Sequence, residues 1–287
     1  MESIEKIESN WTEVIAPRRG IFDINLSQIW HYRDLIALFV RRDFVSVYKQ
    51  TILGPLWLFI QPLFTTFTFL FVFNRIAKIP TDGVPPVLFY LSGITLWTYF
   101  SDCFTKTSNT FVVNAGIFGK VYFPRLVSPI SIIFSNLIKL AIQGSLLLAV
   151  LVYYMVFEGT RLNINVTLFS LPFLIVLMAL LGLGLGIVFS SLTTKYRDLA
   201  FLLQFGVQLL LYATPVIYPL SYTTGKMKQF ISLNPLTPII ESFRHSIFGI
   251  GQFDIVGLGY ATLFTFIVLI VGVVVFNQVE KSFMDTV

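Results

Sequence analysis

A single cysteine, Cys103, stands in 287 residues, which excludes an internal disulfide and any cysteine metal cluster. Only two histidines are present, His31 and His245, far apart and without metal-ligand spacing, so no metal site is expected. Charge is scarce: 12% of the residues are Asp, Glu, Lys or Arg, against roughly 25% in soluble domains. No GxxxxGK[ST] phosphate loop occurs, so the chain has no route to ATP of that kind. The first fifty residues are polar and basic with no apolar core, which predicts no cleavable signal peptide and an N-terminus that stays inside. There is no low-complexity segment and no evident repeat, so one membrane domain is assigned.

What is present is apolar length. Hydrophobic residues make up 55% of the chain, in several long uncharged runs that a soluble core does not need. Continuous runs argue against a β-barrel, whose strands alternate in short segments. The class is therefore an all-α polytopic membrane protein. The net charge of +5 raises the question of nucleic acid. Most basic residues flank apolar spans, so positive-inside sorting and anionic lipid headgroups account for it, and no nucleic-acid partner is expected.

The stretch Arg41 to Leu63 organises the rest. Arg41, Arg42, Asp43 and Lys49 lie in its charged half; Gly54-Pro55 sits at the join, and no further charge appears before Arg75. Proline lacks an N–H and suits the first turn of a helix, so span one is placed from Pro55 to Phe73. Residues 1–26 read as a polar cytoplasmic lead. Residues 27–49 read as an amphipathic interface helix, with Ile29, Ile36, Val40 and Val47 on one face and His31, Arg42 and Lys49 on the other. A soluble helix packed on a partner is the alternative. Residues 50–287 form the transmembrane domain. Further spans are expected at Val87–Phe104, Ser128–Val156, Leu168–Leu192, Leu199–Tyr218 and Gly257–Asn277. The second is polar for a span and so should face protein or water.

Between spans five and six, residues 219–251 are too broken to cross, with Pro219, Pro235 and Pro238, yet keep apolar patches. Two short re-entrant helices fit, the second starting at Thr237 as N-cap. Thirteen of the twenty Lys and Arg fall in the predicted inner segments and six in the outer ones, with Lys139 inside span three. This bias places both termini in the cytoplasm.

No constellation of catalytic side chains is found. Three polar stripes recur at helical spacing: Trp57, Gln61, Thr65 and Thr68 in span one; Ser135 or Asn136, Lys139 and Gln143 in span three; Gln204, Gln208 and Tyr212 in span five, with Tyr218 beyond it. Amides and a lysine are costly against lipid and face a bundle interior or a cavity. Interhelical hydrogen bonding explains any one stripe; three together favour a lined path, suited to sugar by hydrogen bonding and ring stacking. No span has a central Asp or Glu, as a small-ion path would. Gly182, Gly184 and Gly186 read as close helix packing. Glu241, Arg244 and His245 share a face at i, i+3 and i+4, either a local ion pair or a polar lip at an outer opening.

At this point the chain resembles the membrane subunits of type-2 ABC exporters for polysaccharides, of O-antigen exporter type. Arg42-Asp43-Phe44 through Tyr48-Lys49-Gln50, then Leu53-Gly54-Pro55-Leu56-Trp57, is similar to their opening motif. Asn114-Ala115-Gly116 to Val121-Tyr122-Phe123-Pro124-Arg125 is similar to their coupling helix, and Thr194-Lys195-Tyr196-Arg197-Asp198 to their loop between spans four and five. Asn234-Pro235-Leu236-Thr237-Pro238 is similar to their outer gate region. The resemblance implies a permease, not an enzyme, with no cofactor of its own. A second copy of the chain would complete the channel. Two copies of a separate cytoplasmic ATPase would carry ATP and Mg. The cargo would be an undecaprenyl-diphosphate-linked polysaccharide crossing the inner membrane. It assigns coupling (residues 106–125) to Phe118, Lys120, Tyr122, Phe123, Pro124 and Arg125. It assigns the outer gate (residues 219–251) to Asn234, Pro235, Pro238, Glu241 and Arg244. Teichoic-acid and capsule exporters share much of this pattern. A glycan polymerase or ligase would need acid–base groups gathered in a large outer loop, and the outer segments are short. A self-sufficient flippase would lack an ATPase partner.

The charge bias is checked by reporter fusions. Fusions at Asp82, Glu158 and Gly225 should read outside and those at Lys120 and Lys195 inside; a cytoplasmic reading at Gly225 would reverse the last two spans.

Overall fold

The computed structural model describes residues 26–49, 51–121, 123–159, 166–196 and 198–286. The N-terminal lead, Tyr122, Arg197 and most of the loop before span four lie outside the described residues. Every regular element among the described residues is helical. Helix α1 (Leu26–His31) and α2 (Arg33–Tyr48) form the N-terminal arm. Then come α3 (Trp57–Phe69), α4 (Pro86–Ser108), α5 (Thr110–Phe118), α6 (Val127–Phe157), α7 (Leu171–Lys195) and α8 (Leu199–Tyr212). Helices α9 (Gly225–Ser232), α10 (Leu236–Phe248) and α11 (Ile255–Thr286) complete the chain. Among the described residues four stretches are long and apolar enough to cross a membrane: Gly54–Ile76, Val127–Phe157, Val166–Lys195 and Ile255–Gln278.

The junction at Gly54-Pro55 is a single 3-10 turn, Gly54–Leu56, with Gly54 at φ +50°, a left-handed angle that favours glycine. The α-helix proper starts at Trp57. Pro62 sits inside α3 and removes one backbone donor, and the helix widens into a π-helical turn at Leu70–Ile76 before Lys78 and Asp82 reverse the chain.

Helix α4 is the axis of the bundle. Its 23 residues span about 35 Å at 1.5 Å each, and Leu88, Tyr90, Leu91, Leu96, Phe100 and Cys103 are wholly buried. Its polar composition is explained by this position: it touches protein rather than lipid. Helix α7 lies against it through glycines. A Cβ at Gly186 would sit 2.5 Å from the Thr107 Cβ, and one at Gly182 2.9 Å from the Cys103 Cβ. Gly184 faces the other way, toward Val268 and Leu269 on α11, and a Cβ at Gly272 of α11 would lie 3.0 Å from the Gly184 carbonyl oxygen. Lipid is as apolar as leucine, so close backbone approach and dispersion hold such helices together.

A second apolar cluster anchors the N-terminal arm. Ile29 and Phe39 pack with Phe111 and Phe118 of α5, with Phe123, Leu126 and Val127, and with the ends of α7 and α11 at Ile187 and Phe276. The arm is broken at Tyr32 rather than continuous, and its main anchor is Phe39.

Two boundaries differ from the sequence reading. Span five stops as helix at Tyr212, because Pro215 and Pro219 cannot continue it. Helix α10 starts at Leu236, not after Thr237. The N-cap position is Pro235; Asn234 before it accepts from the Leu236 N–H through Oδ1 at 3.0 Å, while the Thr237 hydroxyl donates back to the Ile231 carbonyl at 2.6 Å. Helix α10 is buried along Ile239, Ile240 and Phe243, whereas α9 buries only Ile231.

The glycine contact yields a stability test. Gly186→Ala should lower stability by about 1–3 kcal/mol through overpacking, read as a lower thermal midpoint in detergent. Gly144→Ala, whose added Cβ meets nothing within 4 Å, should leave it in place. Equal midpoints would show that α4 and α7 have room to separate.

Candidate functional site

The polar residues of α4 and α6 meet on one side of the bundle. At i, i+4 and i+7 along α4 stand Asp102, Lys106 and Asn109, and facing them on α6 are Ser128, Ser135, Asn136 and Lys139. Lys139 Nζ donates to Asp102 Oδ2 at 2.8 Å, and Lys106 Nζ reaches the same oxygen at 3.5 Å. Lys106 also donates to Asn136 Oδ1 at 2.8 Å. Helix α2 closes the group: the Arg42 guanidinium pairs with Asp43 at 2.8 Å, and the Ser135 hydroxyl donates to Asp43 at 3.4 Å. All of these side chains except Asp102, which stands behind the wall, border a cavity of about 500 Å³ that also takes in Thr110, Asn114 and Gln204.

A smaller cavity of about 170 Å³ continues along the same helices. It is bordered by Gln61 and Thr65 of α3, Trp97 and Thr98 of α4, Gln143 of α6 and Leu211 of α8. Gln143 lies one turn beyond Lys139, and Thr98 one turn before Asp102, so the polar face is unbroken between the two spaces. The three sequence stripes therefore converge in part: Gln61, Thr65, Asn136, Lys139, Gln143 and Gln204 border one or other cavity. Trp57, Thr68, Gln208 and Tyr212 lie outside both and are exposed. Tyr218 is tied down, its hydroxyl donating to the Tyr212 carbonyl at 2.9 Å.

The opposite end of α4 is built around Arg244. It is fully buried, its guanidinium 3.7 Å above the Phe89 ring. It donates to the Pro215 carbonyl, to the Val216 carbonyl at 2.7 Å and to the Phe89 carbonyl at 3.4 Å, with Glu241 at 3.6 Å. Gly93 makes the space, since a Cβ there would lie 2.5 Å from the guanidinium. Burial pushes the Glu241 carboxyl up, opposed by Arg244, and burial pulls the guanidinium down, opposed by Glu241. Asn234 adds a second tie, donating to Thr214 Oγ1 at 2.9 Å. Pro235 caps α10, and Pro238 packs its Cβ on the Gly257 position of α11. Arg244 is thus a clamp on the chain that follows α8, not a lip open to water.

The model of the ABC-2 type transporter family matches residues 34–248, from the N-terminal arm through α10. The chain belongs to that family. Among its relatives, the O-antigen export system permease protein RfbA of Klebsiella pneumoniae is 27% identical over 253 residues, covering 88% of this chain and 94% of the relative. The polysialic acid transport protein KpsM of Escherichia coli is 23% identical, over 87% and 95% of the two chains. The capsule polysaccharide export inner-membrane protein CtrC of Neisseria meningitidis is 18% identical, over 87% and 92%.

Family membership puts the remaining assigned residues in context. Phe118 and Phe123, expected as coupling contacts, are buried in this chain's own second cluster, and Pro124 is buried beside them. Arg125 lies over the Phe118 ring at 5.8 Å. Lys120 and Val121 are exposed at the turn after α5; Tyr122 is outside the described residues. In the arm, Arg41 and Lys49 are exposed. Sequence reasoning missed Asp102 and Gly93. Lys139 held the signal for Asp102, because an ammonium within an apolar helix requires a carboxylate or carbonyl partner nearby. Among the described residues no group of three His, Cys, Asp or Glu is placed to hold a metal.

Removing one partner of a buried ion pair costs about 3–5 kcal/mol. Arg244→Leu should therefore reduce folded protein in the membrane severely, while Glu241→Gln, which leaves the carbonyl contacts of Arg244 in place, should do so less. Normal yield and thermal midpoint for Arg244→Leu would show that the clamp is dispensable.

Proposed function

We propose that this chain is the membrane-spanning permease subunit of an ATP-driven polysaccharide exporter, with a lipid-linked, O-antigen-like glycan as cargo. The observation that carries the reading is the convergence of neutral amides, hydroxyls and aromatic rings from α3, α4, α6 and α8 on one face of a chain in the ABC-2 family. Relatives named for O-antigen, polysialic acid and capsule export match nearly end to end and support the cargo class.

In this reading the chain crosses the inner membrane six times, α4 and α8 joining the four apolar spans, with both termini in the cytoplasm. Helix α4 need not be apolar because it is sheathed by protein. Helix α8 is short, about 21 Å for 14 residues, and the clamped segment after it completes the crossing. Helices α9 and α10 dip into the outer leaflet as gate helices. Two copies form the channel. The faces available for pairing belong to α3 and α8, where Phe64, Phe67, Phe71, Phe201, Phe205 and Leu209 are exposed beside Gln61 and Gln208. Two copies of a separate ATPase, carrying ATP and Mg, dock beneath α5. Lys120 and Val121 supply that contact, with Phe118 and Phe123 holding the coupling turn in place. A sliding polymer requires many weak contacts rather than one tight site, and stacking on rings with hydrogen bonds to amides supplies them. Capsule export is the second reading, favoured by the two capsule-type relatives; which surface polymer disappears on deletion separates the two.

Filling the path should block export more than deleting one contact. Gln208→Trp should remove most surface polysaccharide and Gln208→Ala little. In a Cys103→Ser background, cysteines at 61, 65, 204 and 208 should react with a water-soluble thiol reagent during transport. Labelling of 63 and 206 instead would place the channel elsewhere.

A further inference from the structure

We propose that the larger cavity, between α2, α4 and α6, is a phosphate site that takes the phosphoryl head of a membrane lipid. Three cations reach it from three separate helices: Arg42, Lys106 and Lys139. Two carboxylates oppose them. Asp43 is held by Arg42, and Asp102 stands behind the wall, shared between the two lysines. One carboxylate for two ammoniums leaves the site one positive charge in excess. An ammonium has three donors, so an anion entering the cavity finds donors still to be satisfied.

The depth of Lys139 strengthens the case. It lies twelve residues into α6, about 18 Å along the helix axis. A lysine at such a place in an apolar span is costly, which makes it a functional group by default. Its surroundings are prepared for an acceptor. Thr110, on the cavity wall, is wholly buried and its hydroxyl has no partner. Asn136, also on the wall, uses its carbonyl to orient Lys106, while its amide faces the Cys103 thiol.

The shape favours a lipid over a free anion. Phe44, Leu58, Val113 and Ile132 border the same space. It lies where the basic arm gives way to the apolar start of α3. A phosphate can occupy the lysine side while its chain runs along these apolar side chains.

The head group has two possible sources, a resident phospholipid or the diphosphate of the transported lipid. Only the second depends on the export reading. The test is equilibrium binding to the exporter complex purified in detergent, without ATP, so its outcome is independent of transport. The probes are a farnesyl-type polyprenyl diphosphate, short-chain phosphatidylglycerol and inorganic diphosphate. Lys139→Gln should weaken binding of a lipid probe by about tenfold, while Lys139→Arg and Lys228→Gln leave it near wild type. Asp102→Asn should tighten it by removing the competing anion. Lys106→Gln, at a more exposed position, gives the same reading should Lys139→Gln fail to fold. Preference for the diphosphate assigns the site to the transported lipid, and preference for phosphatidylglycerol to a resident one. Unchanged lipid binding in both lysine variants overturns the proposal, as does binding of inorganic diphosphate alone.

Discussion

The structure depends on how closely α7 approaches α4. Within a bilayer no hydrophobic gain drives two apolar helices together, so contact has to come from packing. Gly182 and Gly186 provide it on one side of α7 and Gly184 on the other, which makes α7 a thin wall between α4 and α11. With α4 fixed at the centre and shielded from lipid, its sequence is free to be polar. That freedom is used at both ends. Near one end Asp102 and Lys106 meet Lys139, and near the other Phe89 and Gly93 receive Arg244.

The two charged arrangements differ in kind. Arg244 is enclosed and donates to three carbonyls, its Nε alone lacking a partner, and it ties α10, α4 and the segment after α8 into one unit. The lysines around Asp102 are incompletely satisfied and border an open space. The first is structural and the second is available for a ligand.

Local pattern made much of this legible. The uncharged runs, the Gly-Pro junction, the glycines of α7 and the three stripes were all readable because helical period and side-chain chemistry are local properties. Lys139 was readable as inward-facing for the same reason. Its partner was not: Asp102 lies 37 residues away on a different helix. Of the two readings of Glu241 and Arg244 the local ion pair is present, but the burial of Arg244 was not legible, because Phe89, 155 residues distant, decides it. Phe118 and Phe123 looked like docking anchors because exposed and buried aromatics are identical in sequence; the packing of Phe39 against them settles the matter. The end of α8 was overrun because apolar composition continues past the prolines that stop the helix.

The central claim is that a glycan moves along the polar face shared by α3 and α8. Photo-crosslinking during export tests it most directly. A benzoylphenylalanine at position 61 borders the smaller cavity, and one at position 148 lies on the exposed, apolar face of α6. In vesicles carrying the permease, its ATPase and labelled substrate, the account predicts ATP-dependent capture of the glycan at 61 and none at 148. Capture at 148 with none at 61 would contradict it.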